Sequence, residues 1–475
     1  MLAASLGLLT VVLLAACSRG NLASPQGDRT AAQRAASAES RQQQGRQTSQ
    51  ASQAAAASQP SLLGSSDLGI AYRFILENYV DQADYAGLIE AARSGLRDLI
   101  AESGSLPADS APLDLLPRAT GNPDRDWAAF STVFDSVVQR HPDWSQQTRP
   151  DYAAVRKMVE SLDDDHSSFL TADESRRRAE TSYSGIGVRL ARPDPQGPPV
   201  VIEVFPSSPA ALAGVRAGDR VIAVGDRSVV QFALDQVADL IRGPQGSEVA
   251  LQLERTSAGG PINIRAYRRT IDTPQADGQL LDPKIGYVKI RTFGETVAER
   301  VGRLLLEQRQ GGAQGWIIDL RGNPGGNLQA VARVAGYFME TRPIGISVDR
   351  SGQREAIFAE QRPFVVKAPL VVLIDGDSGS GSEILAAAFK EYQLAALVGQ
   401  KTAGAVGIAN TRSLSDGSTV QVTVRRLLSA SGAQIDRVGV QPDEAVPLGA
   451  QDLEAGRDPQ RDRALALLRQ RLPGA

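Results

Sequence analysis

The sequence predicts a multi-domain α/β protein with a helical amino-terminal domain, a small β-rich domain and a larger α/β domain containing a mixed sheet. Apolar residues recur at helical spacing from Asp67 to about Thr171, which predicts a helical domain over 67–180. Short β-branched runs broken by glycines predict a β-rich domain over 181–257. Buried-strand runs then alternate with helical stretches over 258–450. A chain of 475 residues also exceeds the usual size of one domain.

Individual elements can be placed within this plan. A helix is expected from Tyr85 to Ile100, and a second helical pair around 134–138 and 152–162. The Pro- and Asp-rich stretch 105–126 predicts a surface loop between the helix at 85–100 and this second pair. A pattern of Leu and Arg over 460–472 predicts a helix in the carboxyl-terminal segment 451–475.

The amino terminus predicts export. Residues 2–16 are apolar or small and too few to span a bilayer, which is typical of a signal peptide. They end in Leu-Ala-Ala before Cys17, and this resembles the lipobox of bacterial lipoproteins, although no Lys or Arg precedes the apolar run. The resemblance implies a signal peptide over 1–17, lipidation of Cys17 and a lipid anchor in a membrane of the cell envelope; the alternative is an ordinary secretory signal with a chance cysteine. Residues 18–66 have hardly any large apolar residue and predict a disordered linker.

Composition excludes several classes of function. The net charge of −3 and the lack of a Lys/Arg-rich tract argue against nucleic-acid binding. Two histidines and one cysteine offer no metal-ligand spacing, and no nucleotide loop is visible, so we expect no metal and no cofactor. The single cysteine excludes a disulfide within the chain.

Two stretches of the β-rich segment resemble PDZ domains. One is Tyr-Ser-Gly-Ile-Gly-Val at 183–188, and the other is Ser-Pro-Ala-Ala-Leu-Ala-Gly-Val-Arg-Ala-Gly-Asp at 208–219. The resemblance implies that the amides of Gly185, Ile186 and Gly187 bind a peptide carboxylate, while the adjoining strand edge pairs with the peptide. The alternative is a glycine-rich turn without a ligand.

Two glycine-rich turns carry the chemistry. Residues 319–326 (Asp-Leu-Arg-Gly-Asn-Pro-Gly-Gly) follow a buried-type strand and precede a helical stretch at 328–338. Residues 375–388 also follow a buried-type strand and run from a Ser-Gly turn into an Ala-rich helix. Amides at a helix start can stabilise an oxyanion, and a serine on such a turn is exposed as a nucleophile must be. Alone, the first turn could be a phosphate loop or a plain turn, and the second could be a flexible Ser-Gly loop with Ser382 capping a helix.

Taken together and in this order, the motifs resemble the carboxy-terminal processing (tail-specific) protease family from about Asp67 to Pro447. Further matches are at 398–405, Leu-Ser-Asp-Gly-Ser at 414–418 and Gly-Val-Gln-Pro-Asp at 439–443. The resemblance implies a serine peptidase acting on proteins with exposed carboxyl-terminal or unfolded segments. It implies Ser380 as the nucleophile, with oxyanion donors from Gly381 and the Gly325-Gly326 turn. Residues 376–379 (Gly-Asp-Ser-Gly) also resemble the chymotrypsin-like loop, which would select Ser378, but nothing else in the sequence resembles that family.

The general base departs from the family pattern, because Ala405 stands where most members have lysine. Tricorn-like relatives read Thr-Ala-Gly-Ala here, as 402–405 do, and this resemblance implies His166 as base and Asp436 as the acid that orients it. Lysine-type members also carry an Asp-x-His-Ser/Thr element, which leaves a structural role for His166 open. A second alternative is a Ser-Lys dyad with Lys401. A third is a non-catalytic protein that binds peptides or apolar ligands on the same fold, against which the retained Ser380 and glycine turns argue.

Overall fold

A computed structural model describes residues 65–472 except for 103–118, 142–143, 145–148, 180–181, 193, 195, 256–257 and 273. The predicted signal peptide, Cys17 and all but the last two residues of the predicted linker lie outside the described residues. Within the described part, no helix is long and apolar enough to cross a membrane.

The first segment is helical. Its helices are α1 (Ser65–Asn78), α2 (Tyr85–Glu102), α3 (Pro123–Arg140), α4 (Pro150–Glu160) and α5 (Ala172–Ala179). Their apolar faces enclose a core that includes Leu68, Tyr72, Phe130, Phe134 and Met158. The short strand β1 (Ser168–Leu170) leaves this layer and pairs with a strand of the third segment.

Helix α3 corrects one sequence prediction, because its first turn lies within the stretch 105–126 that was predicted as a loop. The side chain of Asn122 accepts a hydrogen bond from the amide of Arg125 at 3.0 Å, and Pro123 occupies the first turn. An Asn cap followed by proline starts a helix, so the proline here is a start signal and not a breaker.

The second segment is a β-rich domain. It contains α6 (Pro209–Ala213), α7 (Leu234–Ile241), β2 (Ser182–Gly185), β3 (Val188–Ala191), β4 (Val200–Val204), β5 (Arg220–Val224), β6 (Arg227–Ser228), β7 (Glu248–Glu254), β8 (Pro261–Tyr267) and β9 (Arg269–Asp272). The antiparallel sheet has the order β3-β4-β5-β7-β8, with β6 on β5, while β2 pairs with β9. Because β8 pairs with β7, this sheet continues past the boundary predicted at residue 257. The Gly-Gly-Pro at 259–261 belongs to a hairpin connection and not to a domain linker.

The third segment is built on a mixed sheet of order β10-β11-β12-β15-β16-β19, in which only β10 is antiparallel to its neighbour. These strands are β10 (Ala276–Asp282), β11 (Ile285–Ile290), β12 (Gly315–Asp319), β15 (Leu370–Ile374), β16 (Ala396–Gly399) and β19 (Glu444–Ala445). A second sheet contains β13 (Pro343–Asp349), β14 (Arg354–Phe358), β17 (Gly407–Ser413) and β18 (Thr419–Ser429), to which β1 adds.

Helices cover both faces of the mixed sheet. They are α8 (Val297–Gln310), α9 (Leu328–Met339), α10 (Gly381–Glu391) and α12 (Pro459–Arg471), and the short helix α11 (Ala450–Glu454) precedes α12. Side chains alternate along β12, so Trp316 and Ile318 join the core with α8, α9 and α10, whereas Ile317 joins the core with α12. The predicted α/β class with a helical first domain and a mixed sheet is confirmed.

Candidate active site

The two glycine-rich turns meet at one edge of the mixed sheet, because β12 and β15 are parallel neighbours and both turns follow their carboxyl ends. The amide of Gly379 and the hydroxyl of Ser382 both donate to the carbonyl of Asn323, at 3.0 and 2.9 Å. Gly325 has φ +101°, and a Cβ atom there would lie 2.6 Å from Cβ of Ser380. Only glycine therefore allows the turns to approach this closely.

Ser380 has a strained backbone directly before α10. Its φ of 51° and ψ of −116° are unusual for a residue with a side chain. Its amide donates to the carbonyl of Ala405 at 2.8 Å and to Oε2 of Glu383 at 3.0 Å. Among the described residues, no hydrogen bond engages its hydroxyl, and the residue is half-buried. A strained serine at a strand-to-helix turn is the geometry that α/β hydrolases use to present a nucleophile.

The neighbouring serines have structural contacts. Ser378 is fully buried, and its hydroxyl donates to the carbonyl of Leu320 at 2.9 Å and accepts from the amide of Asp375 at 3.0 Å. Ser382 is also fully buried. Both hydroxyls hold the two turns together, which argues against Ser378 as a nucleophile.

The predicted oxyanion donors differ in their bonding. The amide of Gly325 already donates to Oδ1 of Asn323 at 2.9 Å. The amides of Gly381 and Gly326 donate to no other group in the part of the chain that the structure describes. Of the three predicted donors, Gly381 and Gly326 are therefore the ones with a free N–H group, while Gly325 supplies close approach.

Glu383 holds the nucleophile turn to the segment 402–405. Oε1 accepts from the hydroxyl of Thr402 at 2.5 Å and the amide of Gly404 at 2.7 Å, and Oε2 accepts from the amides of Ser380 at 3.0 Å and Ala405 at 2.9 Å. Burial raises the pKa of this carboxyl, and the hydrogen bonds that it accepts offset the effect only in part. The Ser-x-x-Glu spacing at 380–383, which is typical of a capping box, is the sequence signal that could have identified Glu383.

The segment 405–407 brings the other predicted residues near Ser380. Next to Ala405, the amide of Val406 donates to Oδ1 of Asp436 at 3.3 Å. A Cβ atom on Gly407 would lie 3.0 Å from Cδ2 of His166. The segment 405–407 therefore contacts all three predicted residues, in the order Ser380, Asp436 and His166.

Their side chains are not joined directly. No hydrogen bond between any two of Ser380, His166 and Asp436 occurs within the described residues. Nε2 of His166 is buried and has no hydrogen-bond partner, although its backbone is fixed by the side chains of Asp164 and Gln421. A buried ring nitrogen without a partner is costly, so it is a candidate for an interaction made only with substrate.

Lys401, the alternative base, lies against Gly439. Its side chain is exposed, and Cε passes within 3.0 Å of where a Cβ atom on Gly439 would lie. The next residue, Thr402, is tied to Glu383 and also accepts from the amide of Val440 at 2.6 Å.

The predicted peptide cradle lies beside an apolar groove of about 290 Å³ between β3 and α7. The groove is lined in part by Ile186, Val188, Leu190, Leu234, Ala238 and Ile241. Gly187 has φ +78°, and a Cβ atom there would lie 2.5 Å from Cβ of Ser208. Among the described residues β3 pairs only with β4, and its other edge beside the apolar groove is suited to β-strand addition by a peptide.

Comparison with known proteins assigns both domains. The profile of the PDZ domain matches residues 200–255, and that of Peptidase family S41 matches residues 284–446. The carboxy-terminal processing protease CtpA of Bacillus subtilis (strain 168) is 32% identical over 320 residues, covering 66% of this chain and 68% of CtpA. The carboxyl-terminal-processing protease of Picosynechococcus sp. is 32% identical over 365 residues, covering 72% of this chain and 88% of that protein.

A solved structure supports the fold. The photosystem II D1 C-terminal processing protease aligns with a TM-score of 0.52 and 24% identity, covering 81% of this chain and 93% of that chain. The two sequence relatives also show the family, because each is 32% identical to this chain and the alignments cover 68% and 88% of their lengths. The chain therefore belongs to the carboxy-terminal processing proteases of Peptidase family S41, and it is a serine-type peptidase that carries a PDZ domain.

Proposed function

We propose that the chain is an exported endopeptidase that captures carboxyl-terminal or unfolded segments of proteins in its PDZ groove and cleaves them through an acyl-enzyme on Ser380. The observation that carries this proposal is the strained turn at Ser380, where an unengaged hydroxyl stands beside the free amides of Gly381 and Gly326. That combination provides a nucleophile and an oxyanion site without rearrangement of the two turns.

In this mechanism His166 takes the proton of Ser380 as its Oγ attacks the scissile carbonyl. The free amides stabilise the oxyanion, and the imidazolium then protonates the leaving amine. Water attacks the acyl-enzyme, with His166 again as base. Asp436 contributes negative charge next to the same segment and stabilises the imidazolium, directly or through another group. The ring must approach Ser380 when substrate binds, as catalytic hydrogen bonds often tighten only in the complex.

Two features of the site favour His166 over Lys401 as the base. His166 lies against Gly407, two residues after the carbonyl that binds the amide of Ser380, whereas Lys401 is exposed and directed toward Gly439. A purely binding role on the same fold has less support, because it does not require a strained serine beside free amides.

The proposed location is the cell envelope, with the mature chain anchored through a lipid on Cys17. This part of the proposal rests on the sequence before residue 65 and on its resemblance to a lipobox. A protease tethered in this way would meet envelope proteins with exposed apolar tails.

The proposal is tested by incubating the full chain with an unfolded protein that ends in an apolar tail and following the products by intact-mass spectrometry. We expect the wild type to cleave it and Ser380→Ala to bind it without cleavage. Equal cleavage by both proteins would overturn the assignment of Ser380. Binding without cleavage by the wild type would favour the non-catalytic alternative.

A further inference from the structure

We propose that Asp458 and Gln460, at the start of the carboxyl-terminal helix α12, are positioning residues for the oxyanion turn at 322–326. This inference rests on the proposed function, since it concerns the same turn. Both residues lie beyond the part of the chain that matches the Peptidase family S41 profile.

The link between helix and turn is the guanidinium of Arg321, the residue directly before the turn. Its Nε and Nη2 donate to the carboxylate of Asp319. Its Nη1 donates to Oδ1 of Asp458 at 3.0 Å and to Oε1 of Gln460 at 2.9 Å, and Nη2 also reaches Oδ2 of Asp458 at 2.9 Å. All five N–H groups of an arginine can thus be satisfied by these three residues.

The surroundings make this link rigid. Asp319 is fully buried, and Arg321 is 8% exposed. Burial would raise the pKa of Asp319, but the charges of Arg321 and Lys289 outweigh it and hold that pKa far below its usual value. Nζ of Lys289 also donates to the carbonyl of Arg321 at 3.2 Å. A buried ion pair with complete hydrogen bonding has one strongly preferred geometry.

Helix α12 is itself fixed to the sheet that carries the site. Its apolar side chains Ala464, Leu467 and Leu468 pack with Ile317 of β12 and with Val371 and Leu373 of β15. Asp458 caps the helix by accepting from the amide of Arg461 at 3.0 Å, and Gln460 donates to the carbonyl of Val446 at 2.7 Å. The helix start therefore holds Arg321 in a fixed place relative to both strands that lead into the catalytic turns.

The turn is held at its next residue as well. The amide of Gly322 donates to Oδ1 of Asp375, at the start of the nucleophile turn, at 2.8 Å. Displacing Arg321 would therefore shift the oxyanion donors relative to Ser380. A displacement of about 1 Å in such a site can cost about 100-fold in rate. Arg189, which lines the PDZ groove, also donates to the carbonyl of Gly322 at 3.3 Å. Asp458 and Gln460 bond to Arg321 and not to any residue of that groove, so peptide capture should be unaffected by changing them.

The test compares Asp458→Asn with Asp462→Asn, which makes the same change on an exposed residue in the first turn of the same helix. Measurements are kcat, KM, the Tm and the Kd of a peptide aldehyde that forms a tetrahedral adduct with the catalytic serine. We expect Asp458→Asn to lower kcat at least 10-fold and to weaken the aldehyde in parallel, with KM and PDZ-peptide affinity within twofold of wild type. Asp462→Asn should match the wild type, and Asp458→Glu should recover part of the loss.

Values of kcat and aldehyde affinity for folded Asp458→Asn within twofold of Asp462→Asn would overturn the inference. A loss of Tm with unchanged kcat below the transition would show a merely structural role and would also overturn it. If Asp458→Asn does not fold, Gln460→Leu decides by the same criteria. An inactive wild type, in contrast, would count against the proposed function itself.

Discussion

The amide of Ser380 donates a hydrogen bond to the carbonyl of Ala405 at 2.8 Å, so the proposed nucleophile lies against the residue that replaces the usual lysine of the family. An alanine there has no group that can accept a proton, and the base must come from another segment. His166 packs against Gly407 of the same segment. The position that lacks the lysine, Ala405, and the glycine that His166 contacts, Gly407, are therefore two residues apart on the same stretch of backbone.

This relationship predicts that a lysine at position 405 can replace His166. We expect the double change His166→Ala and Ala405→Lys to regain at least 10-fold in kcat/KM over His166→Ala alone. The regained activity should rise toward alkaline pH, because lysine acts as a base only when it is deprotonated and its ordinary pKa is about 10.4. Hydrolysis of an activated ester as a function of pH measures both effects. No gain at any pH in a double variant with an unchanged Tm would contradict the predicted proximity.

Glu383 should be essential for both geometry and stability. In Glu383→Gln an N–H₂ group faces amide donors, which leaves buried donors without an acceptor and costs about 1–3 kcal/mol. We expect the free energy of unfolding to fall by about that amount and kcat to fall about 100-fold as Ser380 and the 402–405 segment separate. Denaturant unfolding and steady-state kinetics measure the two effects. Glu307→Gln, on an exposed residue of α8, is the control and should change neither.

The Leu-Ser-Asp-Gly-Ser motif should connect the helical segment to the protease core in a pH-dependent way. Asp416 accepts from Arg149 at 2.9 Å and from Tyr152 at 2.6 Å. Burial alone would raise the pKa of Asp416, but hydrogen bonds from Ser418, Tyr152 and Arg149 hold it below 3.8. A carboxyl with a lowered pKa stabilises the fold above its unfolded pKa, and this contribution is lost as the pH falls through the folded value.

Asp416→Asn should therefore lower the free energy of unfolding by about 1–3 kcal/mol at neutral pH. The difference from wild type should be constant near neutral pH and should shrink as the pH falls below 3.8. Denaturant unfolding across this pH range measures it. Asp173→Asn, whose partner Arg176 is exposed, should show little effect at any pH. A difference that grows on acidification would contradict the sign of the shift.

The peptide cradle can be tested with two glycines that share a backbone conformation. Gly187 and Gly246 have φ of +78° and +81°, but a Cβ atom would meet Ser208 at 2.5 Å in the first case and nothing within 4 Å in the second. Both alanine variants should lose about 1–2 kcal/mol to backbone strain. Only Gly187→Ala should also weaken a carboxyl-terminal peptide, by at least 10-fold, as measured by fluorescence anisotropy. Equal peptide affinity in the two variants would place the peptide elsewhere.

Much of the site could be predicted from the sequence because its signals are local. Apolar runs at 316–318 and 370–374 lead into Gly-rich turns at 319–326 and 375–381, and each turn leads into a helical pattern. Parallel neighbouring strands place such turns at the same sheet edge, so the meeting of Ser380 with Gly325 follows from strand order.

The remainder depends on contacts between distant residues. The bond from Arg321 to Asp458 joins residues 137 positions apart, and no pattern near either residue predicts it. The approach of His166 to Gly407 likewise depends on how the helical segment packs on the second sheet. The boundary at 257 was wrong for a different reason, because Gly-Gly-Pro is compatible with both a linker and a hairpin connection.

The identity of the general base is the claim that the mechanism depends on most. It can be measured as the rate of acyl-enzyme formation on Ser380 with an activated ester, followed by intact mass in wild type, His166→Ala and Lys401→Ala. The account predicts that Lys401→Ala acylates at the wild-type rate and that His166→Ala is slower by about 10²–10⁴-fold, the usual contribution of a general base. Acylation of His166→Ala at the wild-type rate, together with none in Lys401→Ala, would contradict it.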